Sequence, residues 1–212
     1  MSARDFLPEE PRLSALRDAA DRCRGCELYR QATQTVFGAG SAGARMVFVG
    51  EQPGDEKDAI GRPFVGPAGR LLDEALASAG VARGDIYITN AVKHFKWKPR
   101  GKRRLHQKPN AAEVQACKPW LLGELAAIRP EVLVLLGATA AQSLLGPSFR
   151  VLRSRGVLFP SPYAPHTMAT VHPSSLLRIT DPVERRAARA VFLREMELAA
   201  GALDRSSDAA HR

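Results

Sequence analysis

The sequence predicts an α/β fold: a three-layer α/β/α sandwich around a central, mostly parallel four-stranded sheet, in a single domain over 1–212. Three observations predict it. Four short apolar runs, RMVFVG (45–50), DIYITN (85–90), EVLVLLG (131–137) and HTMATVHP (166–173), read as buried strands. Helical patterns separate them, and strands alternating with helices give a mostly parallel sheet covered on both faces. A chain of 212 residues is long enough for one core that folds unaided.

The elements follow in order. Residues 1–10 read as a loose end. Residues 11–32 read as a helix leading into the tight turn Cys23-x-x-Cys26. After the first strand comes the polar loop GEQPGDEKD. A helix covers 67–80: Leu71, Leu72, Ala75, Leu76 and Ala79 share one face, and Gly80 stops it. The second strand leads into a basic loop and then a helix from about 110 to 128. The third is followed by the short helix ATAAQSLLG, and the fourth by a last helix over about 182–202. Residues 205–212 read as a second loose end.

With 45% hydrophobic and 25% charged residues, the composition is that of a soluble globular protein. No apolar run approaches the roughly 18 residues that span a membrane. The N-terminus MSARDFLPEEPRL lacks the apolar stretch of a secretory signal. A cytosolic monomer is expected. The net charge of +9 points to a polyanionic partner such as nucleic acid. Residues 93–108, KHFKWKPRGKRRLHQK, carry eight Lys and Arg and no acid, so nearly all of the excess lies in one segment. Three cysteines, Cys23, Cys26 and Cys117, argue against a disulfide framework, whereas the CxxC spacing suits a metal.

Three polar motifs fall just after strands: GEQPGD after the first, NAVKH after the second and HPSS after the fourth. They should converge on one rim, where such sheets bind ligands. In the first, Gly50 and Gly54 let backbone approach a ligand, and Glu51 and Asp55 can orient a nucleophile or stabilise a cation. Phe64, between glycines and prolines, can stack on a base. The Asn90 amide can meet a pyrimidine edge. His172 can bond a leaving base, Ser174 and Ser175 can hold phosphate, and Leu176 can wedge into a base stack. Each motif alone also fits ordinary turns, caps and packing.

Together they are far more specific. GEQPGD, GRPFVGPAGRLLD, ITNAVKH, a cysteine in the helix that starts EVQA, LLGATAA and VHPSSLLR occur in this order. From about residue 20 to 200 the chain resembles the iron–sulfur branch of the uracil-DNA glycosylases. The resemblance implies that Phe64 stacks on a flipped uracil, Asn90 reads its edge, His172 bonds its carbonyl, and the 174–178 loop enters the minor groove. The chain departs from the usual pattern in two places. His94 stands where a cysteine follows NAVK, and Gly101-Lys102-Arg103-Arg104-Leu105-His106 is an added connection. Both departures resemble the UdgX-type subgroup, whose members release uracil and then stay covalently bound to DNA through a histidine in that loop.

By that resemblance the histidine is His106, with Glu51 orienting or deprotonating it, and Asp55 and Gln52 supporting the site. Lys102, Arg103 and Arg104 would hold the loop against phosphates of uracil-containing DNA, single- or double-stranded. An ordinary multiple-turnover glycosylase and a non-catalytic, cluster-containing nucleic-acid binder remain the other readings. Cys23, Cys26, His94 and Cys117 form a Cys₃His set whose spacing alone would suit structural zinc. The resemblance implies a [4Fe–4S] cluster instead, with His94 replacing a thiolate or standing by as a bystander.

Overall fold

The computed structural model describes residues 1–210, with side chains through Leu203. In chain order the elements are α1 (Leu13–Ala20), β1 (Ala39–Gly40), β2 (Met46–Gly50), α2 (Asp55–Ile60), α3 (Pro67–Ser78), β3 (Ile86–Asn90), β4 (Trp97–Arg100), β5 (Arg103–His106), α4 (Ala111–Ile128), β6 (Val132–Leu136), α5 (Ala138–Leu145), α6 (Val151–Ser154), β7 (Phe159–Ser161), β8 (Ala164–Thr170), α7 (Pro173–Leu177) and α8 (Pro182–Ala210). No helix among the described residues is long and apolar enough to cross a membrane. Residues 205–210, expected as part of a loose end, continue α8, and residues 211–212 lie outside the described residues.

The sheet order is β1-β3-β2-β6-β8-β7. The central four strands, β3, β2, β6 and β8, are mutually parallel and are the four that the sequence predicts. Two short antiparallel strands extend the edges, so the sheet has six strands rather than four. Every residue of β2, β3 and β6 is buried, as continuous apolar runs in a covered sheet require. Met46, Phe48, Ile88 and Val134 face α3 and α8, meeting Leu72, Leu76, Phe192 and Met196. Val47, Val49, Leu133 and Leu135 face the opposite layer, with Leu121, Leu125, Ala140 and Leu144.

Three expectations are corrected. The N-terminus is not loose: Ala3–Phe6 forms a 3₁₀ turn capped by Ser2 and Asp5, and Ala3 is fully buried. It packs with Leu16, Cys23, Cys117 and Trp120 in a third apolar cluster. The helix expected over 11–32 ends at Ala20, and a separate 3₁₀ turn spans Glu27–Arg30. Between them Gly25 lies against the N-terminal segment, where a methyl would fall 2.6 Å from the Ala3 nitrogen. The basic loop is a hairpin: β4 and β5 pair antiparallel from Trp97↔His106 to Arg100↔Arg103, and Gly101 turns the chain at φ 57°.

Candidate active site

β2, β3, β6 and β8 end on one rim, and the hairpin leans over it. There a cleft of about 630 Å³ gathers Glu51, Gln52, Gly54, His106, His172 and Ser174. Thr139 and Lys57 line the same cleft, although the sequence reading passed over both.

Glu51 follows β2 directly. Its Oε1 stands 3.3 Å from His106 Nε2, and its Oε2 accepts a short hydrogen bond from Thr139 at the start of α5. Burial holds His106 below the ordinary imidazole range, and Arg178 and Lys57 push the same way against Glu51. The ring is therefore neutral near pH 7 and lies 6.1 Å from the Phe95 ring.

Two residues expected at the substrate instead fix the hairpin. Gln52 donates to the carbonyls of Lys96 (3.2 Å) and Gln107 (2.9 Å) and accepts from the Lys96 amide (3.1 Å), clamping both hairpin stems. Arg104 does not reach out to phosphate. Its guanidinium is pinned by Asp55 (2.5 Å), by fully buried Asp58 (2.6 Å) and by Thr33 (3.0 Å), under the rings of Phe95 and Trp97. Asp55 is thus an anchor for the hairpin. Lys98, Arg100, Lys102 and Arg103 remain exposed along it.

His172 caps α7 just beyond β8. The Ser174 amide donates to His172 Nδ1 (3.1 Å), which leaves the proton on Nε2. Burial first, then Lys57, Arg178 and His106, push this imidazole down to about 4. Ser174 Oγ meets Nδ1 at 2.8 Å and Ser175 Oγ donates to the His172 carbonyl at 2.7 Å, so both serines orient the histidine. Leu176, expected to wedge into a base stack, is instead core at 3% exposure, while its neighbour Leu177 is 46% exposed.

Phe64 packs on His172 with centroids 5.6 Å apart, and it adopts a left-handed φ of 57°. That conformation is costly for a bulky residue and persists only where its surroundings enforce it. Two glycines do so. A methyl on Gly69 would lie 1.5 Å from the Phe64 carbonyl oxygen, and one on Gly50 would lie 2.8 Å from the Phe64 ring and 2.4 Å from Asn90 Oδ1. Asn90 and Phe64 thus meet across Gly50, both buried behind the residues that line the cleft. Beneath them, Lys93 Nζ donates to the Asn90 carbonyl (2.8 Å) and to fully buried Glu124 (2.5 Å). Glu124 also accepts from Tyr87 (2.8 Å), Thr89 (2.9 Å) and the Gly38 amide (3.1 Å). The sequence offered no signal for this pair, because its partners are remote in the chain.

The cysteines lie on the far side of this network. Cys23, Cys26 and Cys117 are free thiols that pack together. Among the described residues no group of three or more His, Cys, Asp or Glu side chains stands at metal-holding distance. The surroundings nevertheless suit sulfur ligands: the Trp120 indole N–H points at Cys23 Sγ (3.2 Å), and the Lys93 amide points at Cys117 Sγ (3.3 Å). His94 is buried, which pushes it down to about 4, and Nε2 meets Thr35 Oγ1 at 3.0 Å. Nδ1 is then the nitrogen it has left for a metal.

A covered, mostly parallel sheet with an acid–imidazole cleft at its C-terminal rim and a basic hairpin beside it defines an α/β protein with an enzyme-like cleft. The chain belongs to the uracil DNA glycosylase superfamily, whose family profile matches residues 37–197. It is 38% identical over 170 residues to a type-4 uracil-DNA glycosylase of Thermotoga maritima, covering 80% of this chain and 85% of that one. It is 48% identical over 120 residues to the type-4 enzyme of Archaeoglobus fulgidus, covering 57% of each chain. A type-5 uracil-DNA glycosylase of Pyrobaculum aerophilum is 33% identical over 150 residues, covering 64% of this chain and 63% of that one.

Proposed function

We propose that this protein excises uracil from DNA and then captures the resulting sugar on His106, in the manner of the UdgX-type subgroup. The observation that carries the reading is the placement of His106: a neutral imidazole inside the excision cleft, 3.3 Å from Glu51. The extruded uracil stacks on Phe64 and presents its edge to Asn90. His172 Nε2–H donates to its carbonyl and stabilises the negative charge that develops as the C1′–N1 bond breaks. The bond's electron pair leaves on uracil, and C1′ becomes electrophilic. The lone pair of the unprotonated His106 nitrogen then forms a C1′–N bond, and the proton on the other nitrogen passes to Glu51. Gln52 and Arg104 hold the hairpin so that the ring outcompetes water, since a fixed nucleophile gains a large effective concentration.

Cys23, Cys26 and Cys117, with His94 as fourth ligand, would hold a [4Fe–4S] cluster or a structural zinc ion, a reading supported by the N–H groups aimed at Cys23 and Cys117. When bound, the group supplies a structural tie between the N-terminal segment, the chain after β3 and α4. The partner is uracil-containing DNA, single- or double-stranded, gripped by the exposed cations of the hairpin. The test is to react purified protein with a uracil-containing single-stranded oligonucleotide, then heat the mixture in SDS and run a denaturing gel. A slower band, absent with thymine DNA, supports capture. An alkali-labile abasic site without a shifted band means ordinary turnover, and intact uracil DNA with a loaded metal site means a binding module.

A further inference from the structure

Lys57 is a half-buried cation in the cleft with no part in the excision and capture steps. It lies on α2, one turn beyond Gly54. Its Nζ is 3.5 Å from where a side chain on Gly54 would begin and 3.9 Å from the same point on Gly66, so it lies along the wall that runs from the β2 loop to α3. Among the described residues its ammonium makes no hydrogen bond or ion pair, while its carbonyl caps α2 by accepting from the Gly61 amide at 2.8 Å. Glu56 on its own helix is the one acid that counters its loss of water. Its field reaches both histidines and disfavours a proton on each. A cation stripped of part of its hydration needs a compensating anion, and the residues around it supply none at bonding distance.

We propose that Lys57 is a further substrate-contacting residue, whose ammonium receives an oxyanion of the extruded deoxyuridine. That oxyanion is either the phosphate flanking the nucleotide or the charge developing on the departing uracil. The inference rests on the excision reading. Both sources share one chemistry, a negative oxygen entering the cleft that Lys57 lines together with Glu51 and His172. A lysine suits it as a point charge on a flexible stem.

The test compares the wild-type protein, Lys57→Gln and Lys57→Arg, each with its metal site loaded and its melting temperature checked against wild type. Uracil release from a single-stranded oligonucleotide is followed under single-turnover conditions over a range of protein concentration and salt. Lys57→Gln is expected to lose about 10²-fold in efficiency, with Lys57→Arg recovering most of it. If the phosphate is the ligand, the loss falls on the half-saturating concentration, and the slope of log affinity against log salt shallows by about one. If the uracil anion is the ligand, the saturated rate falls and the half-saturating concentration holds. Wild-type rate and affinity in Lys57→Gln would overturn the proposal. Should the wild-type protein release no uracil, the excision reading fails, and anisotropy of the labelled oligonucleotide decides for Lys57. A drop of about tenfold in affinity with a shallower salt slope would keep it as an anion site, and unchanged binding would remove it.

Discussion

His106 and Glu51 come from distant parts of the chain, yet their side chains meet at 3.3 Å across the mouth of the cleft. β2 delivers the carboxylate and the hairpin delivers the imidazole, while Thr139 holds the second carboxylate oxygen. Glu51 is thereby fixed with one oxygen turned to the ring. The same oxygen could direct a water molecule if the ring were absent.

That geometry predicts the outcome of His106→Ser. The crosslink disappears, and the vacated volume admits water beside Glu51, so uracil release continues and becomes multiple-turnover. A gel for the adduct and a multiple-turnover assay for uracil, run on the same preparation, check it. A persistent crosslink in the variant would refute the assignment.

The acid side of the pH profile follows from burial. His106 is held below the ordinary value of about 6.5, so its lone pair is available at neutral pH and is lost only as pH falls through the lowered value. The rate of adduct formation should therefore stay level from neutral pH down past 6.5 and then decline. His172, held at about 4, adds a stability effect. Its folded state binds fewer protons than the unfolded chain between about 4 and 6.5, so stability rises with pH across that window and is lost as pH falls. Melting temperature against pH tests the sign. A protein that became more stable on acidification through this window would contradict it.

Arg104→Met tests the hairpin anchor. It leaves Asp58, which is fully buried, without its cation and frees the hairpin from Asp55. Removing one partner from a buried pair costs about 3 kcal/mol or more, which for a domain of this size lowers the melting temperature by about 10 °C. Adduct formation should fall more steeply than uracil release, because His106 rides on the hairpin while His172, Phe64 and Asn90 do not. Equal losses in the two steps would show that the anchor serves the whole cleft.

Much of this arrangement was legible in the sequence. The four central strands were readable because sheets covered on both faces demand continuous apolar runs, and Glu51, His106 and His172 followed from motifs placed after or beside them. The edge strands were not, since Ala39–Gly40 and Phe159–Ser161 are too short to show a period. The hairpin was hidden because its alternating cations lack the apolar face that marks a strand. Leu176 and Leu177 are both apolar, and only the turn of α7 decides which one faces the core. Arg104 looked like a phosphate ligand because its acidic partners, Asp55 and Asp58, lie 49 and 46 residues away.

Gly69→Ala isolates the backbone that holds Phe64 against His172. The added methyl would fall 1.5 Å from the Phe64 carbonyl oxygen, so the 61–66 segment must shift. Phe64 would leave its left-handed conformation and its place against His172, and a loss of about 1–3 kcal/mol in stability is expected. Uracil release should drop further than DNA binding, because the exposed cations of the hairpin are untouched. Wild-type excision in a destabilised variant would mean that Phe64 does not serve as the stacking platform.

Cys26→Ala addresses the metal centre. Cys26 belongs to the CxxC turn, and Cys23 and Cys117 already receive N–H bonds from Trp120 and Lys93, the arrangement expected around thiolates. Loss of one ligand should yield colourless, poorly folded protein, because metal binding at such a site contributes directly to folding. The Lys93 amide ties Cys117 to the chain that continues from Asn90, so a loosened centre should also disturb Asn90. Iron and zinc content, the visible spectrum and the melting curve give the answer together. Iron in the wild-type protein and none in the variant identifies the cluster. Zinc in place of iron identifies the other occupant, and a well-folded variant that still holds iron removes Cys26 from the ligand set.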